Sequence, residues 1–166
     1  MNKKVKIAYC IPSLYYPSGM ERVLTLKANY FAEHLGYDIH IILTDGKGKE
    51  PYYKLYPSIT THQLDINYDE LYGLSLPKRI HRYWSKQKLF KKRLETCLNE
   101  IEPDITISLL RRDINFINKM KDKSIKLGEI HFNKSNYREF SDNCLPGIIQ
   151  RAVKQYWMWQ KRRREG

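Results

Sequence analysis

The sequence predicts an α/β fold in which helices cover both faces of a central parallel β-sheet. Short apolar segments of strand length alternate along the chain with segments of helical periodicity, and one strand segment, residues 104–110, is an almost uninterrupted apolar run. Alternating strands and helices form βαβ units with right-handed crossovers, and a strand buried on both faces is apolar throughout. The 166 residues, of which 42% are hydrophobic, suffice for about one such domain.

The first half of the chain contains three strands and one helix. Residues 5–11 form the first predicted strand, residues 38–45 the second and residues 59–66 the third. A helix is predicted from Gly19 to Gly36, because apolar residues recur at helical spacing and a glycine commonly ends a helix. The expected buried face of this helix consists of Met20, Leu24, Ala28, Phe31 and Leu35.

The second half contains a long basic helix, two more strands and two further helices. The long helix begins near Pro77, where proline fits the first helical turn, and ends before Pro103. The apolar run at residues 104–110 is the fourth strand and residues 124–132 are the fifth. The two further predicted helices are a short one at residues 113–120 and a last one at about residues 146–164.

The composition favours an anionic partner and a reducing compartment. Thirty Lys and Arg residues against 18 Asp and Glu residues give a formal net charge of +12, and such a field attracts phosphates, nucleic acids or anionic lipids. Cys10, Cys97 and Cys144 are far apart and form no C-x-x-C motif, so we expect reduced thiols in a cytoplasmic protein. No apolar stretch approaches the roughly 20 residues that span a bilayer.

A Ser-Gly pair, Ser18 and Gly19, separates the first strand from the first helix. A helix that begins at such a turn directs unpaired amides and the positive end of its dipole at solvent, and both attract anions. The motif G-x-G-x-x-G is absent, because Gly19 is the only glycine before Gly36, so dinucleotide binding is not predicted. Gly19 therefore either approaches another ligand or only permits a tight turn.

Ligands of open parallel sheets bind beyond the carboxyl ends of the strands, near the topological switch point. This rule selects the loops after the five predicted strands, which are residues 12–19, 45–51, 66–72, 111–113 and 131–137. Arg111 and Arg112, in the fourth of these loops, could contact a phosphate of a substrate through their guanidinium groups. Solvated loop charge is the expected role of at least one of them.

Four segments in this order, residues 6–12, 18–45, 103–110 and 128–131, resemble the amino-terminal domain of family-four glycosyltransferases with the GT-B fold. Members usually carry a turn of the type G-G-A-E-R. The matching residues, with serine in place of the first glycine, are Ser18, Gly19, Met20, Glu21 and Arg22. The resemblance covers nearly the whole chain. Together with the strand and helix alternation, it predicts the strand order 3-2-1-4-5 in one half of a GT-B fold.

The resemblance implies a nucleotide-sugar-dependent glycosyltransferase of hexosyltransferase type, active in bacterial surface glycan synthesis, of which these residues are the acceptor-side domain. In the family a second domain with an acidic E-x7-E pattern binds the nucleotide sugar. We expect that domain to be absent from residues 1–166 and this chain alone to be inactive. The nucleotide sugar is a substrate, no other cofactor is implied, and His, Cys and carboxylate residues do not stand at metal-ligand spacing.

Four residues are candidates for substrate binding, namely Ser18, Gly19, Arg111 and His131. The glycine turn of the family lets the backbone approach substrates in the cleft between the two domains, and the resemblance gives this role to Gly19. A family histidine that matches His131 reaches the donor sugar, where an imidazole can bond a hydroxyl group; the alternative is a structural histidine bonded to backbone. Glu21 and Arg22 are expected to be helix-capping and surface charges. No catalytic residue is assigned in this half.

The long helix is unusually basic and carries aromatic residues beside its charges. This combination suits an anionic membrane surface, although a solvated helix face explains a run of charges equally well. A terminal YWMWQKRRR adds a second such patch. We therefore expect a peripheral position on the inner face of the plasma membrane, next to a glycan or lipid-linked acceptor. The residues assigned to that surface are Lys78, Arg79, Arg82, Trp84, Lys86, Lys91, Lys92 and Arg93.

Two other functions compete with this one. A basic nucleic-acid-binding α/β domain would also combine Lys and Arg patches with aromatic residues, for phosphate contacts and base stacking. The chain has no RNP-like, KH or zinc-finger signature, so nucleic acid is not the expected partner. A stand-alone nucleotide-binding protein would need the glycine fingerprint that is absent here.

Overall fold

The computed structural model describes residues 4–109 and 112–129. All of them belong to the first of two compact units of the chain, Met1–His131, and the second unit, Phe132–Gly166, lies outside the described residues. The helix predicted at residues 146–164 lies outside them as well. Within the described part of the chain, no helix is long and apolar enough to cross a lipid bilayer.

A parallel β-sheet of five strands, in the order β3-β2-β1-β4-β5, forms the centre of the fold. Every neighbouring pair of strands is parallel. This arrangement confirms the predicted Rossmann-like α/β fold with the first strand in the middle. The strands are β1 (Lys6–Ile11), β2 (Asp38–Leu43), β3 (Thr60–Gln63), β4 (Ile105–Ser108) and β5 (Ile125–Gly128).

Two long helices cover opposite faces of the sheet, because the side chains of a strand alternate between its faces. Ile7, Tyr9 and Ile11 of β1 belong to a core that includes the buried side of the first helix. Ala8 and Cys10, the residues between them, belong to a second core that includes the carboxyl-terminal half of the second helix. The helices are α1 (Gly19–His34) and α2 (Leu76–Ile101).

The predicted helix at residues 113–120 is wrong. The segment consists of turns followed by one short 3₁₀-helix, Ile117–Lys119. The carbonyl of Asp113 accepts hydrogen bonds from the N–H groups of Phe116 and Ile117, at 3.0 and 2.8 Å, so the chain turns once there. The segment I-N-F-I-N contains β-branched, aromatic and asparagine residues, all of which are modest helix formers. Phe116, Ile117 and Met120 are buried by tertiary packing and not by a regular helix, whereas Ile114 is exposed.

Two other details differ from the predicted elements. Leu35 was expected on the buried face of α1, but the helix ends at His34 and Leu35 is 47% exposed. Gly36, with φ of 64°, adopts the left-handed conformation that glycine commonly supplies after a helix, and this redirects the chain toward β2. A short 3₁₀-helix at Tyr68–Leu71, after β3, was not predicted.

A histidine pair joins β2 to β3, with Nδ1 of His40 2.9 Å from Nε2 of His62. Burial, followed by the neighbouring His40, lowers the pKa of His62, while Glu100 acts in the opposite direction. A histidine whose pKa is depressed by folding binds fewer protons in the folded chain, so its contribution to stability is complete above its unfolded pKa of about 6.5 and is lost as the pH falls. We expect the free energy of unfolding, measured by urea denaturation, to decrease from about pH 7 to about pH 5.

Two substitutions separate this pair from the other histidines. His62→Gln should flatten the pH dependence, because the group that binds more protons in the unfolded chain is gone. His34→Gln, at an exposed position near the end of α1, should leave the dependence unchanged. Equal slopes for the wild type and the His62→Gln variant would contradict the role assigned to His62.

Candidate functional site

The candidate site lies at the carboxyl edge of the sheet, between β1 and β4. The chain leaves β1 for the face covered by α1, whereas after β4 it packs Phe116 and Ile117 into the core of the α2 face. This is the topological switch point, where open α/β sheets form a ligand-binding crevice. A cavity of about 10 Å³ beneath it has room for about one water molecule, so any larger ligand would have to bind on the loops above. Its lining residues are Cys10, Ile11, Pro12, Ile42, Thr44, Phe90, Arg112 and Asp113.

Ser18 and Gly19 lie at this edge, at the start of α1. Ser18 is the N-cap residue, and its exposed side chain forms no capping hydrogen bond. Gly19 has no positive φ, and a Cβ atom built on it would meet no atom within 4 Å. Neither the backbone conformation nor packing in the described chain therefore requires glycine at this position. A tight turn therefore does not account for this glycine.

The expectation that Glu21 is a surface charge is wrong, because Glu21 is only 6% exposed. Its Oε2 atom is buried without a hydrogen-bond partner in the described chain. A carboxylate in the first turn of a helix interacts favourably with the positive end of the dipole, and it offsets the attraction of that end for other anions. Any anion at this end would therefore depend on outward basic groups such as Arg22, which is exposed.

A buried carboxylate, Asp45, organises the loop after β2. The residue is 4% exposed. Its Oδ1 accepts the backbone N–H of Tyr68 at 2.5 Å, and its Oδ2 accepts the Thr44 hydroxyl at 3.1 Å and Nη1 of Arg112 at 2.8 Å. Asp45 thereby joins the segments that follow β2, β3 and β4. Sequence analysis did not single it out, although a carboxylate directly after an apolar strand is a recognisable signal at a carboxyl edge.

Arg112 is committed to this network, which changes its expected role. Its guanidinium carbon lies 4.1 Å from the centre of the Tyr68 ring, in a cation–π contact. The charge is already paired with Asp45, and its side chain is 32% exposed. Burial is the main cause that raises the pKa of Tyr68, and the neighbouring Tyr83 adds to this effect. The Tyr68 hydroxyl group therefore stays neutral. Arg112 therefore fixes the carboxyl edge and is a poor candidate for binding a substrate phosphate.

His131 and Arg111, the other two predicted substrate-binding residues, lie outside the described residues. The described chain approaches His131 as far as Glu129, whose N–H donates to the carbonyl of Ser108 at 2.8 Å. The carboxylate of Glu129 accepts a hydrogen bond from Nζ of Lys27 on α1, at 2.6 Å. Burial, together with a smaller effect of the Glu129 carboxylate, raises the pKa of Tyr9 to about 12. The end of β5 is thus held against the α1 face.

Two of the residues assigned to a membrane surface, Lys86 and Arg93, hold the segment after β3 instead. Nζ of Lys86 donates to the carbonyls of Ile66 and Asn67 and lies 2.9 Å from Oε2 of Glu70. Arg93 donates from Nη1 to two further carbonyls of the same segment. The Lys86 side chain is 15% exposed. Both cations therefore serve the fold, and Lys86 is not available to a membrane.

The amino-terminal half of α2 presents an apolar stripe to solvent. Leu76, Ile80 and Trp84, at i, i+4 and i+8, are 49%, 51% and 63% exposed. In contrast, the carboxyl-terminal half of the same helix supplies the second core, from Phe90 onward. We call the exposed apolar residues and their neighbouring cations the α2 surface. Its basic residues are Lys78, Arg79, Arg82, Lys91 and Lys92, all exposed.

Neither the family models nor the curated proteins that were compared with this chain give a match. Among the described residues, no group of three or more His, Cys, Asp or Glu side chains could hold a metal ion. The site is therefore defined by its geometry alone: a bare helix start at Ser18 and Gly19, next to loops that Asp45 and Arg112 hold in place.

Proposed function

We propose that this chain is the acceptor-side domain of a nucleotide-sugar-dependent glycosyltransferase with a GT-B fold, of hexosyltransferase type, in bacterial surface glycan synthesis. The observation that carries the proposal is Gly19, which lies at the switch point of a 3-2-1-4-5 parallel sheet and which the described fold does not itself require. Backbone amides at a helix start can bind hydroxyl and phosphate oxygens only if no side chain covers them. Glycine at this position keeps that approach open.

The proposed division of labour assigns binding, and no covalent chemistry, to this half. The first turn of α1 and the hydroxyl of Ser18 would contact substrate oxygens from one side of a cleft. A second domain, in the same polypeptide or in a partner polypeptide, would hold the nucleotide sugar and close over it. Transfer then depends on positioning two substrates, which accounts for large rate effects in bimolecular reactions.

Sugar transfer by the complete gene product tests this function. The protein would be incubated with radiolabelled UDP- and GDP-hexoses and with membranes of the host, and labelled lipid-linked or polymeric glycan would be isolated. We expect label in one of these fractions, and none when residues 1–166 are used alone. If the folded complete protein neither binds nor consumes any of these nucleotide sugars, the proposal is wrong.

The α2 surface is the proposed contact with an anionic membrane. A stripe of leucine, isoleucine and tryptophan flanked by Lys and Arg matches helices that lie in the plane of a bilayer interface. The helix is anchored from the other side, because its buried half packs on the sheet and Lys86 ties it to the segment after β3. The exposed half is therefore a rigid surface. A lipid-linked acceptor would be reached from such a position.

Charge reversal on the α2 surface should abolish binding to acidic vesicles. We expect the full chain to co-sediment with phosphatidylglycerol vesicles at low salt and the triple variant Arg79→Glu, Arg82→Glu, Lys91→Glu to remain in the supernatant, since each basic residue near a surface contributes about 1 kcal/mol. The matched control reverses lysines away from α2, with Lys54→Glu, Lys121→Glu and Lys123→Glu, all at exposed positions.

The same preparation separates a membrane from a nucleic acid. Binding of the wild type to vesicles but not to a single-stranded RNA of mixed sequence supports the membrane contact. Tight, steeply salt-dependent RNA binding without vesicle binding would instead identify a nucleic-acid-binding domain. If both charge-reversal variants bind vesicles equally well, the α2 surface is only a solvated helix face.

A further inference from the structure

Tyr15 joins three loops of the carboxyl edge into one rigid surface. Its hydroxyl group donates to Oδ2 of Asp69, after β3, at 3.0 Å. Its ring lies against Gly46, after β2, so closely that a Cβ on this glycine would be 2.5 Å from the Tyr15 ring. The N–H of Tyr52 donates to the carbonyl of Leu14 at 2.8 Å, which is a second contact between the loops after β1 and β2. These contacts fix the loop that leads to Ser18.

Next to Tyr15, this surface presents an open aromatic ring and an open cation. The ring of Tyr16 is 4.1 Å from that of Tyr15, between centroids, and Tyr16 is 52% exposed. Nζ of Lys49 lies 4.0 Å above the Tyr15 centroid. The Lys49 side chain is held by this cation–π contact, and no carboxylate of the described residues lies within 4.0 Å of its ammonium group. The Asp69 carboxylate already accepts the hydroxyl of Tyr15.

We propose that Tyr16 and Lys49 form an acceptor subsite that binds a hexose carrying an anionic group, either a phosphate or a carboxylate. This inference rests on the proposed function and specifies its acceptor. The exposed ring of Tyr16 supplies a flat, amphipathic face on which the C–H face of a sugar packs. Lys49, whose ammonium group lies over the Tyr15 ring, supplies a compact point charge for the anion.

The geometry explains why both groups belong to one subsite. The Tyr16 ring centre and the Lys49 ammonium each lie about 4 Å from the Tyr15 centroid, so the two are at most about 8 Å apart, within reach of one hexose that carries an anionic group. Tyr15 is held from three sides, and a rigid platform loses little entropy when a ligand binds. Ser18 and Gly19 follow Tyr16 directly in the chain. A sugar on Tyr16 would therefore lie beside the helix start that is proposed to contact substrates.

Binding to the full 166-residue chain tests this subsite without any transfer reaction. Isothermal titration and amide chemical shifts would be recorded with glucose, glucuronic acid, glucose 6-phosphate and inorganic phosphate. We expect both charged sugars to bind about tenfold more tightly than glucose, with shifts in the loops that contain Tyr16 and Lys49. Lys49→Gln should remove this preference. Tyr16→Ala should lower the affinity for both charged sugars about fivefold.

Matched controls are Lys88→Gln and Tyr30→Ala, which change an exposed lysine and an exposed tyrosine on the two helices and should have no effect. Inorganic phosphate that binds as tightly as glucose 6-phosphate would reduce the site to a simple anion site and overturn the sugar contact. Equal affinity for glucose and its charged forms would overturn the role of Lys49. The proposed transferase function is tested by a separate experiment, in which the complete gene product would fail to use a nucleotide sugar. That outcome would not change the measured sugar affinities of the subsite.

Discussion

The Asp45→Ala variant is expected to lose about 3 kcal/mol of unfolding free energy, because removal of the carboxylate leaves a partly buried guanidinium and a buried backbone N–H without their acceptor. Asp45 is 4% exposed and accepts hydrogen bonds from Arg112, Thr44 and the backbone of Tyr68. Alanine would leave the Tyr68 N–H and the Arg112 guanidinium without these acceptors. Chemical denaturation followed by circular dichroism measures the loss. A shift of this size is large against the stability of an ordinary domain.

A neighbouring ion pair supplies the control for Asp45. Lys47, two residues further along the same loop, pairs with Asp65 at 2.9 Å, and its side chain is 69% exposed. Lys47→Ala should therefore cost less than about 1 kcal/mol. The double variant Asp45→Ala, Arg112→Leu should recover part of the loss, since the partly buried cation is removed with its partner. If Asp45→Ala costs no more than Lys47→Ala, the network does not hold the carboxyl edge together.

The fold could be predicted because its signals are local. Residues 5–11 and 38–45 carry apolar runs of strand length, and the periodicity between them fixes α1 to within a few residues. Where a local signal is weak, the prediction fails. Residues 113–120 contain apolar residues at plausible spacing, but their packing against α2 replaces a regular helix with turns. The modest helix propensity of these residues agrees with that outcome.

The candidate site was less predictable, because its decisive contacts join residues far apart in sequence. Asp45 follows β2 and Arg112 follows β4. Their side chains meet only because folding brings the carboxyl ends of both strands to one edge of the sheet. In the sequence, nothing distinguishes Lys86 from the exposed lysines of α2, yet its ammonium group donates hydrogen bonds to carbonyls of the segment after β3. Glu21 is a charged residue in the first turn of α1 and was expected at the surface, but the fold buries it. A sequence shows which residues can bind, whereas the fold decides which remain available.

Under the proposed transferase function, the Gly19→Val variant of the complete gene product is expected to transfer sugar about 100-fold more slowly than the wild type, since displacing a substrate by about 1 Å can have an effect of this size. A Cβ on residue 19 meets no atom of the described chain within 4 Å, so the added side chain projects into open space, where the proposed substrate would lie. Valine is also a better helix former than glycine. The thermal midpoint of unfolding should therefore stay constant or rise slightly while transfer falls.

A graded series separates blocked approach from general disturbance of α1. Gly19→Ala, with one methyl group, should lie between the wild type and Gly19→Val in transfer rate, whereas Ser18→Ala removes only a hydroxyl group and tests the hydrogen bond. Leu26→Val, at an exposed position about two turns further along α1, should transfer at the wild-type rate. Rates are measured at saturating nucleotide sugar with the host membrane acceptor. If folded Gly19→Val transfers as fast as Leu26→Val, the start of α1 does not contact substrate, and Gly19 has no part in the reaction.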